Sequence, residues 1–428
     1  MLTEKQLVHL ATVMSEQDGT GSTRRIDAGY TYFGQFISHE IVAATPHQGD
    51  PPPTRIASPL LDLDSVYGTP DQMQTWLPGG VFATPAPPAL PDDLVRNSGG
   101  VAHIPEPRND DNVILAQLHR FWQRFHNLLL QPGLGLAANP VQARGFVTKV
   151  VQLLVVEDFL RQVLEPRVFA SYFRSNERWL TFNTPGIPPH FSHAGYRFGH
   201  SMVRASYEAF AGGTERNLKD LLRQGRLDPK NVIDLKGFFG EPFENNRVQD
   251  AMAIDPFVAR GMSFIPDPNM TIHIIKANLK AADSVNLPSG KVYVEQLLAG
   301  PKGPELQAKF GLAPLGDLGV LSQYIPSELG LTIDNLPLWP YVLVEAMSTA
   351  EGKRLGVLGS LICAEVIAGA IRQAPVSIYD GQWRSVDQVL ATLETLGERL
   401  QAQRSANGSG PAPRRDFCMR HVIQLVLG

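Results

Sequence analysis

Apolar positions recur along this chain at helical spacing. Ile114, Leu118, Phe121, Phe125 and Leu128 follow one another at intervals of 4, 3, 4 and 3 residues, which puts all five on one stripe of an amphipathic helix. Asp110 and Asp111 suit the first turn of that helix, where the backbone dipole favours negative charge. A second helix is expected over about 143–164, with Phe146, Val150, Leu153, Leu154 and Phe159 turned inward. Further helices are expected near 293–300, 336–350, 353–372 and 384–402, the last carrying Val386, Val389, Leu393, Leu396 and Leu400. Alternating strand patterns are scarce. Proline clusters between Pro46 and Pro107 and between Pro185 and Pro189, and both stretches read as long ordered loops. Residues 402–413, rich in Gly, Ser and Pro, read as a flexible connector to a short apolar helix ending at Gly428. No internal repeat or compositional break divides the chain. The expected fold class is mainly α: one large helical domain over 1–428, with a core over about 30–372, a C-terminal helical extension over 384–428 and little β structure.

Composition narrows the function classes. With 38 Lys+Arg against 42 Asp+Glu the formal net charge of the 428 residues is −4, and 43% of them are apolar. That balance excludes a disordered chain, a collagen-like chain and the basic excess of a nucleic-acid binder. Two cysteines, Cys363 and Cys418, allow at most one bridge, so no disulfide framework is expected. The first residues lack a signal-peptide pattern and no run reaches the roughly 20 apolar residues of a membrane helix, so a cytoplasmic protein is the default expectation.

Eleven histidines are the first candidates for chemistry. No pair stands at zinc-binding spacing with a matching carboxylate or cysteine. His119 and His126 share a helix face and read as packing or hydrogen-bonding residues. His190 and His193, in a Pro-rich loop, read as surface residues. His39 ends Tyr32-Phe33-Gly34-Gln35-Phe36-Ile37-Ser38-His39, whose Phe33, Phe36 and Ile37 form an apolar helix face. His200 closes Tyr196-Arg197-Phe198-Gly199-His200, beside an apolar run. From the residues alone, these are two candidate buried imidazoles without assigned chemistry.

Four strings in order then resemble the peroxidase–cyclooxygenase superfamily, the haem peroxidases of animal type. Gly34-Gln35-Phe36-Ile37-Ser38-His39 is similar to the distal-histidine motif. Pro107-Arg108 with Asp111, Leu118-His119 and Arg124-Phe125-His126-Asn127 is similar to the segment of the catalytic arginine. Tyr196-Arg197-Phe198-Gly199-His200 resembles the proximal-histidine motif, and Asn278 with Leu287-Pro288 the family's Asn…Leu-Pro element. The resemblance implies haem b held at iron by His200, with Asn278 accepting a hydrogen bond from the other ring nitrogen. It implies that His39 moves the proton of hydrogen peroxide, that Arg108 supplies fixed positive charge, and that Gln35 binds distal water or a small anion. Arg197 is expected to pair with a haem propionate.

The loop Ser58-Pro59-Leu60-Leu61-Asp62-Leu63-Asp64 resembles the family's calcium loop, which implies Ca²⁺ held by Ser58, Asp62, Asp64, the Leu60 carbonyl and Glu40. Glu40 stands where the family usually has Asp. Ser38 replaces a carboxylate that links covalently to haem in many members, and Asn112 stands where a halide-oxidising member has Met. Asp111 alone keeps a carboxylate that can form a link, so haem is expected to be non-covalent or partly linked through Asp111, and chloride oxidation is disfavoured. The expected function is a haem-dependent peroxidase that takes hydrogen peroxide and a small organic or halide electron donor, fitting a response to oxidative stress. Two alternatives stand beside it. A fatty-acid dioxygenase or cyclooxygenase needs a radical-forming Tyr three residues before the proximal His, where this chain has Arg197. A non-enzymatic haem-binding protein would need none of the distal residues. The electron donor and oligomeric state are not legible.

Overall fold

The structure is a computed structural model, and it describes residues 2–16, 26–43, 58–134, 136–182, 186–210, 212–222, 225–241, 248–266, 271–380, 384–405 and 418–427. The architecture is helical, as the patterning predicts, and among the described residues β structure amounts to two antiparallel pairs, Ser206–Tyr207 with Arg216–Asn217 and Phe264–Pro266 with Thr271–His273. The first six helices are α1 (Glu4–Glu16), α2 (Gly29–Ile41), α3 (Asp64–Tyr67), α4 (Met73–Trp76), α5 (Val113–Leu129) and α6 (Pro140–Leu154).

The amphipathic stripe is α5. It starts at Asn112, whose side-chain oxygen accepts the Leu115 N–H at 2.8 Å and so satisfies an otherwise orphaned donor of the first turn. Asp110 and Asp111 therefore precede the helix rather than forming its first turn, because Asn112 is the residue that caps it. The helix expected over 143–164 starts earlier, at Pro140 behind the Asn139 cap, and is interrupted by a π-turn over Val155–Leu160. That turn presents Phe159 and Asp158 inward, and Asp158 accepts the Tyr30 hydroxyl at 2.5 Å and the Met419 N–H at 2.7 Å.

Later helices run over Gly290–Ala299, Leu338–Ala350, Val357–Arg372, Arg384–Ser405 and Met419–Leu427. The break between the second and third of these falls at Glu351, held in the left-handed region at φ 53°. The last part of the expected connector, 406–413, lies outside the described residues, whereas 402–405 continue a helix. Helices over Glu4–Glu16, Pro166–Phe173, Ile274–Ser284 and Gly303–Phe310 were not expected from the pattern.

The core gathers around α2. Phe33 and Phe36, both fully buried, pack on Trp122 of α5 at ring-centroid distances of 6.3 and 6.2 Å, and Phe33 meets Phe159 at 6.0 Å. Opposite lies the short turn Gly195–His200. Gly195 permits it to sit against the Val357–Arg372 helix, since a Cβ there would come within 2.6 Å of Ile362. Removing an aromatic ring at the α2–α5 contact leaves a cavity that its rigid neighbours cannot fill. Phe36→Ala is expected to lower unfolding stability by about 3–5 kcal/mol, with Phe36→Leu costing clearly less; urea unfolding of both variants measures it.

Candidate functional site

A cavity of about 330 Å³ lies between α2, the segment leading into α5 and the Gly195–His200 turn. Its wall brings together residues that are far apart in the chain: Gln35, Ser38 and His39 from α2, Arg108, Asp111 and Asn112 before α5, and Arg197 and His200 from the turn. Eight residues singled out from the sequence thus share one space. Gly34 makes room for it, because a Cβ there would sit 3.2 Å from Phe159 and 3.7 Å from the Tyr196 hydroxyl.

On the α2 side, His39 is 9% exposed and its Nδ1 lies 3.0 Å from Oδ1 of Asn109. Arg108 is anchored rather than free. Its Nε and Nη2 donate to the Glu106 carboxylate at 2.8 and 2.9 Å, and Nη2 also reaches the carbonyls of His39 at 3.0 Å and Val42 at 2.8 Å. A guanidinium on the last carbonyls of a helix meets the negative end of its dipole. Gln35 accepts from the Asn112 amide at 3.2 Å. Neither Asn109 nor Glu106 was singled out from the sequence. Glu106 stands two residues before Arg108, and that spacing was the available signal.

On the other side, His200 lies 3.1 Å through Nδ1 from Nδ2 of Asn278, on the Ile274–Ser284 helix. The Trp339 ring meets the imidazole edge-on at 5.9 Å, and its Nε1–H donates to the Arg197 carbonyl at 3.2 Å. The expectation that Asn278 accepts from His200 is reversed. Nη1 of Arg197 donates to the amide oxygen, which leaves the amide nitrogen toward the imidazole. Arg197 carries only donors, so it takes the oxygen. Burial, aided by the Arg197 cation, pushes the His200 pKa down to about 3, so the imidazole is neutral, its Nδ1 lone pair accepting from the Asn278 amide nitrogen. Burial also lowers Arg197 to about 10, and among the described residues its side-chain donors meet only Ser192 and Asn278 oxygens, no carboxylate.

These features fit haem. A neutral imidazole on the cavity wall suits iron, and a largely buried cation with no anionic partner suits a carboxylate of the cofactor.

Below α2, Glu40 is fully buried and its two carboxylate oxygens accept the N–H groups of Asp64 at 3.0 Å and Ser65 at 3.1 Å. Oxygens of Glu40, Asp62 and Asp64 come within 4.8 Å of one another. Ser58 Oγ donates to Asp62 at 3.3 Å, and the Leu60 N–H to Ser58 Oγ at 3.3 Å. Leu63 takes φ 61°, which turns the loop back onto α2.

The remaining histidines divide. His126 is structural, held by the Tyr67 hydroxyl at 3.2 Å and the Gly80 carbonyl at 3.1 Å. His119 is also buried, but its Nδ1 faces Nδ2 of Asn109 at 3.0 Å, behind the distal wall. His190 and His193 are half-buried rather than on the surface, and His190 packs on the Tyr293 ring at 4.5 Å.

Over residues 51–279, more than half of the chain, the sequence matches the family model described as animal haem peroxidase. The chain belongs to the animal haem peroxidase family. That family lies within the peroxidase–cyclooxygenase superfamily, and membership implies haem. The matched range contains Arg108, Asp111, Arg197, His200 and Asn278 and begins after His39. Among curated relatives, thyroid peroxidase of Canis lupus familiaris is 25% identical over 233 residues, covering 49% of this chain and 24% of that protein. Thyroid peroxidase of Rattus norvegicus is 26% identical over 268 residues, covering 58% and 28%. The chain thus spans about a quarter of the length of these relatives. Of solved structures, peroxidase A from Dictyostelium discoideum has a TM-score of 0.64 at 14% identity, covering 96% of this chain and 91% of that one. Fatty acid alpha-dioxygenase from Oryza sativa has a TM-score of 0.67 at 11% identity, covering 99% and 79%. These likenesses establish the fold that the helical pattern led us to expect.

One consequence of burial is measurable. His126 has its pKa pushed by burial from 6.5 to about 4. Between those values the unfolded chain holds a proton that the folded chain lacks, so stability falls as pH drops through the window, by up to about 1.4 kcal/mol per pH unit. His126→Gln is expected to fall less steeply than wild type between pH 7 and pH 4.5, as urea unfolding at the two pH values would show.

Proposed function

We propose that this chain is a haem-dependent peroxidase that reduces hydrogen peroxide and oxidises small organic donors. The observation that carries the reading is the single cavity with His39 and Arg108 on one wall and neutral His200 on the other. Bound haem supplies there an iron that is oxidised by peroxide and reduced again by the donor.

His200 would hold the iron through the ring nitrogen that Asn278 does not face, with the Trp339 ring edge-on against the imidazole. For that nitrogen to coordinate, Nδ1 must carry the proton and Asn278 must present its oxygen. Arg197 would pair with a carboxylate of the cofactor and give up that oxygen, so pairing at Arg197 and orientation at Asn278 would go together. Opposite, His39 would take a proton from hydrogen peroxide and return it to the departing oxygen, acting as base and then acid. Arg108 offers preorganised positive charge to the departing oxygen, and its links to Glu106 and the end of α2 prevent it from swinging away. Gln35 holds distal water beside His39.

Asp111 is the one cavity carboxylate at a family linking position, since Ser38 and Asn112 cannot form an ester, and at most one covalent link is therefore assigned. Ca²⁺ is assigned to Glu40, Asp62, Asp64, Ser58 and the Leu60 carbonyl, where it would neutralise converging carboxylates and stiffen the attachment of α2. A dioxygenase reading is disfavoured because a guanidinium, Arg197, occupies the position that would need a phenol. The tyrosine next to it, Tyr196, is buried and its hydroxyl has no acceptor among the described residues to receive a proton on oxidation.

His200→Ala is expected to lose most bound haem and its Soret band; a wild-type spectrum would refute the ligand assignment. His39→Ala is expected to keep haem and react with peroxide about a hundredfold more slowly in stopped flow, the scale of a general acid–base contribution. Elemental analysis of never-chelated protein is expected to find one calcium per chain, lost together with a drop in thermal stability on chelation.

A further inference from the structure

Asn109 stands between two buried imidazoles that the peroxidase reading treats separately. Its Oδ1 lies 3.0 Å from Nδ1 of His39, and its Nδ2 lies 3.0 Å from Nδ1 of His119. Asn109 and His119 are fully buried and His39 is 9% exposed. We propose that Asn109 is a positioning residue that fixes the tautomer of His39 while its amide nitrogen side spans to His119.

The argument is one of matching donors to acceptors. A primary amide shows a donor on one side and an acceptor on the other. Two imidazoles that meet it through the same ring nitrogen must therefore take opposite roles, one donating and one accepting. With the oxygen toward His39, Nδ1 of His39 carries its proton and Nε2 keeps a lone pair, the form a base requires. His119 then accepts at Nδ1 and carries its proton at Nε2. Turning the amide over would reverse both rings and leave His39 with a proton where it must receive one. Burial makes the matching strict, because an amide group left facing a like partner costs about 1–3 kcal/mol.

The surroundings hold all three groups in register. Asn109 sits in the short turn Pro107–Asp110, its N–H donating to the Glu106 carbonyl at 3.0 Å, so the amide and the Arg108 guanidinium hang from the same four residues. His119 is on α5, and its ring meets Phe36 of α2 edge-on at 6.5 Å. The α2–α5 contact thus sets the distance across which Asn109 spans the two rings.

This inference rests on His39 acting as the base, and the test separates the two. The full haem-loaded chain, labelled with ¹⁵N-histidine and held in the diamagnetic ferrous carbon monoxide form, reports imidazole tautomers by NMR. Wild type is expected to show the proton of His39 on Nδ1 and that of His119 on Nε2. Asn109→Asp accepts from both rings, so the His39 proton should stay on Nδ1 while the His119 proton moves to Nδ1. Asn109→Leu accepts from neither; His39 should then populate both tautomers and the reaction should slow at least about tenfold, the scale of a lost second partner. If Asn109→Leu fails to fold, the His119 proton in Asn109→Asp still decides. A His39 proton on Nε2 in wild type, or an unmoved His119 proton in Asn109→Asp, overturns the proposal. A slow His39→Ala beside a wild-type Asn109→Leu overturns it while leaving His39 as the base, whereas a fast His39→Ala overturns that underlying reading itself.

Discussion

The near-complete burial of α2 is the constraint on which the rest of the site depends. Eleven of its thirteen residues are buried, including His39 and Glu40. A helix enclosed in this way has no water to satisfy its polar groups, so each must find a partner in the protein. Glu40 takes the first N–H groups of α3, His39 takes Asn109, and the carbonyls at the C-terminal end of α2 take Arg108. The three attachments come from different parts of the chain. Together they fix the axial position, rotation and end of the helix, and hence where the His39 ring enters the cavity.

Charge is arranged asymmetrically across that cavity. Arg108 is paired locally with Glu106, whose side chain is only 4% exposed, so its positive charge is held in one place and partly offset. Arg197 has no such carboxylate among the described residues, and it pulls the His200 pKa further down, in the direction that burial already drives it. An anionic group entering the cavity therefore meets its strongest attraction on the His200 side.

The helical class, α2, α5 and the cavity-lining residues His39, Arg108, His200, Arg197, Gln35 and Asp111 were legible in the sequence, the helices because one face is strictly apolar and the site residues because four short strings keep their spacing. What escaped had no periodic or motif signal. The π-turn at Val155–Leu160 breaks a pattern that reads as one continuous helix, because a single extra residue per turn scarcely disturbs hydrophobic spacing. Asn109 looked like a turn residue beside an arginine, and His119 like packing, because their significance lies in a contact between residues on different elements. The amide orientation at Asn278 is set by Arg197, 81 residues away in the chain, and no local rule could supply it.

Both imidazoles of the cavity are held at Nδ1 by an asparagine, yet the two amides face them oppositely: oxygen toward His39, nitrogen toward His200. The third partner accounts for the difference. His119 can either donate or accept, so it lets Asn109 settle in the orientation that His39 needs. Arg197 can only donate, so it commands the oxygen of Asn278 for as long as it has no better acceptor. A carboxylate is that better acceptor, since charge-assisted bonds to a guanidinium are roughly twice as strong as those to a neutral amide. The orientation of Asn109 is thus compatible with both of its imidazole partners, whereas that of Asn278 depends on what Arg197 pairs with.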